Sequence, residues 1–253
     1  MERSLIIALL MLVLGAASCT REDDTPVGDI RLAFTLHYDG APIVFNQNCD
    51  YNGEFIRMTT FTYFISNIKL WSGSGAVNLK DIEMIDFSKS NVSDQGALEG
   101  FVLTIPGVRA GTYDALEFGV GVPKDMNATI PADYPSNNPL SDNGYYWAPW
   151  NSYFFSKMEG KFDALSTGTF ESGFMFHTGL DENYKVVRFN NPIVINAGNG
   201  ANVLHVSLDL SKLFVLNGKP INLHEINKAH WPMNKDVIIA ITNNYTAAFK
   251  LDN

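Results

Sequence analysis

Between residues 29 and 37 apolar and polar positions alternate, with Leu32, Phe34 and Leu36 on one face and Arg31, Ala33, Thr35 and His37 on the other. A period of two is that of a half-buried β-strand, so His37 is expected to point away from the apolar face. The next apolar run, residues 61–71, is aromatic and β-branched and stops at Ser72-Gly73-Ser74-Gly75. That is a strand entering a hairpin turn, with residues 79–87 as its partner. Residues 101–105, 113–122, 153–162, 169–177, 184–189, 192–196 and 203–210 repeat the pattern, punctuated by Gly and Pro. Only residues 236–249 leave helix and strand open, because Asp236-Val-Ile-Ile-Ala-Ile241 fits either period. Short strands at this spacing predict an all-β fold: a single-domain antiparallel β-sandwich with long loops and little helix.

Two stretches interrupt the alternation. Residues 123–144 hold four Asn, four Pro and three Asp, too polar and too broken for a regular element. A connection of that length in a compact domain is functional or mobile, and its carboxylates lack the spacing of an EF-hand. Residues 143–160 and 174–179 then bring two of the four Trp, three of the ten Tyr and His177 into one short region. That is more aromatic surface than a turn needs, so the region is either a core plug or a site.

The first eighteen residues do not belong to the fold. Their apolar run, residues 5–14, has the length of a secretory h-region and is too short to span a bilayer. Gly15-Ala-Ala-Ser-Cys19 follows, an ending that resembles a bacterial lipobox and implies cleavage before Cys19 and lipidation of its sulfur. The polar run Thr20-Arg-Glu-Asp-Asp24 has too little apolar surface to order itself. A basic residue followed by acids at that point resembles the export signal of surface lipoproteins in the Bacteroidetes, which implies an outer-membrane lipoprotein facing the cell surface. The chain thus divides into a signal peptide (1–18), a flexible tether after lipidated Cys19 (19–27) and one domain (28–253).

Composition narrows the function. The net charge of -9, with no Lys/Arg cluster, argues against a nucleic-acid partner. Once Cys19 is acylated only Cys49 remains, so the domain has no internal disulfide and depends on its core. The Cys49 thiol, in a polar run, is either a soft metal ligand or inert. Gly-x-Ser-x-Gly, His-Glu-x-x-His, phosphate-cradling loops and Cys-x-x-Cys are all missing from the sequence, which points away from an enzyme. Among the five His, His205 alternates with outward-facing positions, and His224 and His230 have no common ligand spacing. His177 differs: a strand would put it on one face with Met175, and imidazole with thioether favours Cu(I) over hard cations. A structural His among aromatics is the plainer alternative.

Phe34-Thr-Leu-His-Tyr-Asp-Gly40, residues 61–70, Gly111-Thr-Tyr with Leu116-Glu-Phe-Gly-Val-Gly121, Gly144-Tyr-Tyr-Trp147, Phe176-His-Thr-Gly179 and Asn244-Tyr-Thr-Ala-Ala-Phe249 occur in an order that resembles the MbnP-like lipoproteins. The resemblance spans nearly the whole chain after Cys19. It implies a copper-binding or copper-scavenging protein in which His residues and a Trp oxidised to kynurenine hold the metal. It also implies a partner di-haem enzyme of the MauG-like class as the oxidant. On the matching positions His37 and His177 are the implied metal ligands and Trp147 the implied kynurenine. This chain has Trp147-Ala-Pro-Trp150 where the family has Trp-x-Trp, lacks a four-Cys pattern, and has Lys124-Asp-Met-Asn127 where an Asn-His pair is expected. The rival expectation is a carbohydrate-binding outer-membrane module that stacks sugars on Trp147, Trp150 and Tyr153.

Overall fold

The computed structural model describes residues 25–165 and 167–252. The signal peptide, Cys19 and the tether up to residue 24 lie outside the described residues. Two sheets carry the fold. In the first, β1 (Val27–Tyr38) lies between β4 (Phe101–Arg109), antiparallel to it, and β9 (Gly198–Asp209), parallel to it; β10 (Phe249–Asp252) closes the far edge beside β9. The second sheet is built on β2 (Glu54–Ser72), a 19-residue strand long enough to serve several partners. Its neighbours are β3 (Gly75–Asp86), β5 (Ala115–Val120) and β6 (Ser152–Phe162), all antiparallel. Beyond them β8 (Lys185–Phe189) pairs with β5, and β7 (Ser172–Gly179) pairs with β6. The all-β expectation holds, and the sheets are mixed, because β1 and β9 meet in parallel from opposite ends of the chain.

The alternation read from the sequence places the core. Leu32, Phe34 and Leu36 are fully buried, and Phe34 meets Phe118 of the other sheet edge to face, 6.1 Å between centroids. Phe118 in turn meets Phe249 at 5.3 Å, and Tyr63 meets Phe249 at 5.8 Å. Each of these rings, taken wholly out of water, contributes about 1.5–3 kcal/mol from burial alone. Residues 235–248 resolve the open assignment: Lys235–Ala248 is a helix. Its buried positions, Val237, Ile238, Ile241, Thr242, Tyr245 and Ala248, recur at the helical period and pack toward β8 and the turn Leu210–Leu213. Thr242 Oγ1 donates back to the Ile238 carbonyl at 2.9 Å, which satisfies a hydroxyl buried on that face.

The polar connection 123–144 is knit into the domain. It forms short turns, Lys124–Asn127, Pro131–Asp133, Pro139–Ser141 and Asn143–Tyr145, and buries Val122 and Leu140 against Phe64, Tyr153 and Phe155 in a second, smaller core. Asn127 is the knot. Its buried side-chain oxygen accepts from Tyr153 N at 2.9 Å and Ser152 Oγ at 3.1 Å, while Nδ2 donates to Asp181 Oδ1 at 2.8 Å. Tyr153 OH donates to the Leu140 carbonyl at 3.1 Å, and burial pushes that phenol up to about 12. A segment too polar and too broken for a regular element is therefore held by buried amide and hydroxyl groups.

Candidate functional site

The aromatic region forms a cleft on the outer face of the second sheet. Tyr146–Trp147 is a two-residue strand that folds back on Ser152–Tyr153, and the turn between them, Ala148–Trp150, closes through Asn151 at φ +50°. Asn tolerates that left-handed conformation, and its Oδ1 accepts from Tyr146 OH at 2.8 Å, which braces the hairpin. The register of β6 slips between Phe154 and Ser156, a β-bulge that leaves Phe154 on the cleft side while Phe155 enters the second core. Trp150 lies against Gly179, where a Cβ would come within 3.3 Å of its ring and 2.8 Å of the Tyr153 carbonyl. The glycine is what lets the indole approach the strand.

These elements enclose about 420 Å³ lined by Tyr146, Trp147, Trp150, Phe154, Lys157, Met175, His177 and His230, with Asn143 and Gly144 at the rim. Phe154 is the hub: its ring stands 5.8 Å from Trp147, 5.4 Å from Trp150 and 5.0 Å from His177. Trp150 also faces His230 at 6.2 Å. Trp147 keeps 42% of its surface exposed. Lys157 Nζ donates to the Gly144 carbonyl at 2.6 Å and sits over the rings of Tyr145 and Phe154, so it straps the 143–147 segment down. Burial holds the Lys157 ammonium below its ordinary range, against the opposing charges of Glu159 and Asp142.

Met175 and His177 share the outer face of β7, since Phe174, Phe176 and Thr178 between and beside them are buried. His177 Nε2 is 2.7 Å from Glu159 Oε1. That hydrogen bond holds the Glu159 carboxyl below the usual range, although burial pushes the other way. His230 arrives from elsewhere: the short strand Lys228–Ala229 pairs in parallel with Met175–Phe176 and delivers the next residue to the cleft. Its Nδ1 is 3.3 Å from the Trp231 carbonyl. Sequence spacing gives His230 no role, because its position depends on that distant parallel contact.

His37 stands elsewhere. Leu36 beside it is buried in the core, so His37 occupies the outer face of the first sheet, opposite Asp209 across the ladder and near Asp252. His177 is on the outer face of the second sheet. Packed sheets lie roughly 10 Å apart, so the two imidazoles do not share one ion, and the structure brings together Trp147 and His177 but not His37. Cys49 lines a separate, larger cavity of about 750 Å³ with Tyr38, Asp39 and Asp50. Burial first, and then Asp50, push its thiol up to about 11, so it is held protonated at neutral pH. Among the described residues no group of three or more His, Cys, Asp or Glu is placed to hold a metal ion. The cleft's donors are two imidazoles and one thioether.

The sequence model of the MbnP family matches residues 27–235, a range that contains every residue of the cleft. The chain belongs to the MbnP family. Among solved structures, MbnP from Methylosinus trichosporium is similar, with 19% identity, coverage of 74% of this chain and 77% of that chain, and a TM-score of 0.49. Comparison with curated proteins gives no match. Within the family match fall Trp147, Trp150, Met175, His177 and His230, the rings and donors that the fold gathers on one face.

Proposed function

We propose that this protein binds copper in the cleft, as a non-enzymatic scavenging or carrier lipoprotein anchored through Cys19 at the bacterial outer membrane. The observation that carries the reading is the convergence of His177, His230 and Met175 beside Trp147. Neutral imidazoles and a thioether are soft or borderline donors, which suit Cu(I) and suit hard cations poorly. His177 and His230 would hold the ion, Met175 would supplement them, and His37 is left to the outer face of the other sheet. Family membership adds the expectation that Trp147 is oxidised to kynurenine by a di-haem partner of the MauG-like class. Its 42% exposure supports access for such an oxidant, and its place in the cleft would put the new aryl amine and ketone among the other donors.

Anaerobic Cu(I) competition titration tests this reading. The His177→Ala, His230→Ala pair should lose tight binding while His37→Ala keeps it; a wild-type affinity in the pair would overturn it. Intact-mass measurement of protein taken from its native envelope tests the Trp147 modification separately.

A second reading has its own support. Trp147 is exposed and Trp150 stands 6.2 Å from it at a steep angle, a pair of apolar surfaces on which a sugar could stack; Tyr153, expected beside them from the sequence, is fully buried in the second core and offers no such surface. Glycan binding would be lost with Trp147→Ala and indifferent to the two His substitutions.

A further inference from the structure

His177 has two ring nitrogens, and among the described residues only Nε2 has a hydrogen-bond partner. Nε2 lies 2.7 Å from Glu159 Oε1, and the ladder pairs Lys157 with His177 and Glu159 with Met175, so carboxylate and imidazole are diagonal neighbours on one outer face. Thr60, on the adjoining strand, also reaches the Glu159 carboxylate and helps hold it in place. An ionised carboxylate can only accept, so the proton of the neutral ring resides on Nε2 and the lone pair on Nδ1. His177 is also largely buried, with 12% of its side chain exposed, so its ring has little freedom to turn away.

We infer that Glu159 is a positioning residue: it fixes the ring and tautomer of His177 so that Nδ1 is the atom presented to a metal ion in the cleft. The inference takes its ligand from the copper reading, and its geometry stands without it. Carboxylate partners of this kind raise the basicity of a ligating imidazole and remove the need to reorient it on binding. His230 is arranged the other way round: Nδ1 is directed at the Trp231 carbonyl, and Nε2 has no hydrogen-bond partner among the described residues. The cleft therefore offers unlike nitrogens from its two histidines, Nδ1 of His177 and Nε2 of His230.

The test is nitrogen-15 NMR of the imidazoles in the full chain at about pH 8, above the ordinary His range, followed by anaerobic Cu(I) titration against a chelating competitor. In the metal-free protein the His177 proton should sit on Nε2 and exchange slowly with water. Glu159→Ala should lose that protection and bind Cu(I) about 10–100-fold more weakly. Glu159→Gln, whose amide oxygen can still accept, should recover most of both. On adding Cu(I) the His177 shift should fall on Nδ1. A proton found on Nδ1, or exchange as fast in the wild type as in Glu159→Ala, would overturn the inference. If Glu159→Ala does not fold, the wild-type tautomer and Glu159→Gln still decide it. A protected Nε2–H together with no response to Cu(I) would uphold the positioning bond and remove the copper reading instead.

Discussion

The molecule uses aromatic residues in two ways, and the two sets share almost nothing but their rings. Between the sheets, Phe34, Tyr63, Phe118 and Phe249 are buried and packed edge to face. Over the second sheet, Trp147, Trp150 and Tyr146 surround open space around the buried Phe154 and sit beside two histidines and a lysine. None of the four tryptophans belongs to the buried core, which is built on Phe and Tyr. A core ring is worth its buried area; a cleft ring keeps part of its surface for something else. The aromatic excess of the chain is thus two populations, and only the first is explained by folding.

Substitution should separate them. The largest expected effect is on the core: Phe118→Ala should cost about 3–5 kcal/mol in chemical denaturation, whereas Trp147→Ala should cost less than about 1 kcal/mol. Equal losses would mean that Trp147 is structural after all. Next comes the metal: removing both His177 and His230 should weaken Cu(I) by at least about 100-fold, near 2.7 kcal/mol, with a smaller loss of stability than Phe118→Ala. Asn127→Ala should destabilise by about 1–3 kcal/mol, because the buried Tyr153 N loses its acceptor, and should also loosen the segment that carries Trp147. Tryptophan fluorescence of Asn127→Ala, compared with its denaturation midpoint, would show whether the two losses travel together.

The smallest effect is expected at the other cavity. Cys49→Ser should leave Cu(I) affinity unchanged and stability within about 0.5 kcal/mol. Because burial raises the thiol to about 11, thiolate forms only as pH climbs toward that value. Alkylation of Cys49 should therefore be very slow at neutral pH and keep accelerating through pH ~9, where an ordinary thiol, with its pKa near 8.5, has begun to level off. A plateau near pH ~9 would show an open thiolate and return Cys49 to the set of candidate ligands.

Much of the fold was legible because strands advertise themselves by period. Leu32, Phe34 and Leu36 point inward as their alternation requires, and the strand ending near Trp71 turns at Ser72–Gly75 into its partner. The helix Lys235–Ala248 was not legible at its start, since Val237-Ile-Ile-Ala-Ile241 is continuous apolar sequence; only the burial of Thr242 and Tyr245 one turn further on shows the period. The site was legible in half. Met175 and His177 share a face by simple alternation, whereas His230 enters through a parallel pairing between segments far apart in sequence. His37 illustrates a different limit. Alternation told that it faces outward, but a sandwich has two outward faces, and which one a strand presents depends on the sheet it joins.

That joining has a mechanical side. β1 begins at Val27, directly after the N-terminal segment, and it is an interior strand, bonded to β4 on one edge and to β9 on the other. A pull applied through that end, along the strand, loads both ladders in shear, so their hydrogen bonds resist together. A terminal strand at a sheet edge would instead unzip one bond at a time. Whatever holds the N-terminal segment, the domain meets the tension with one of its most heavily bonded strands.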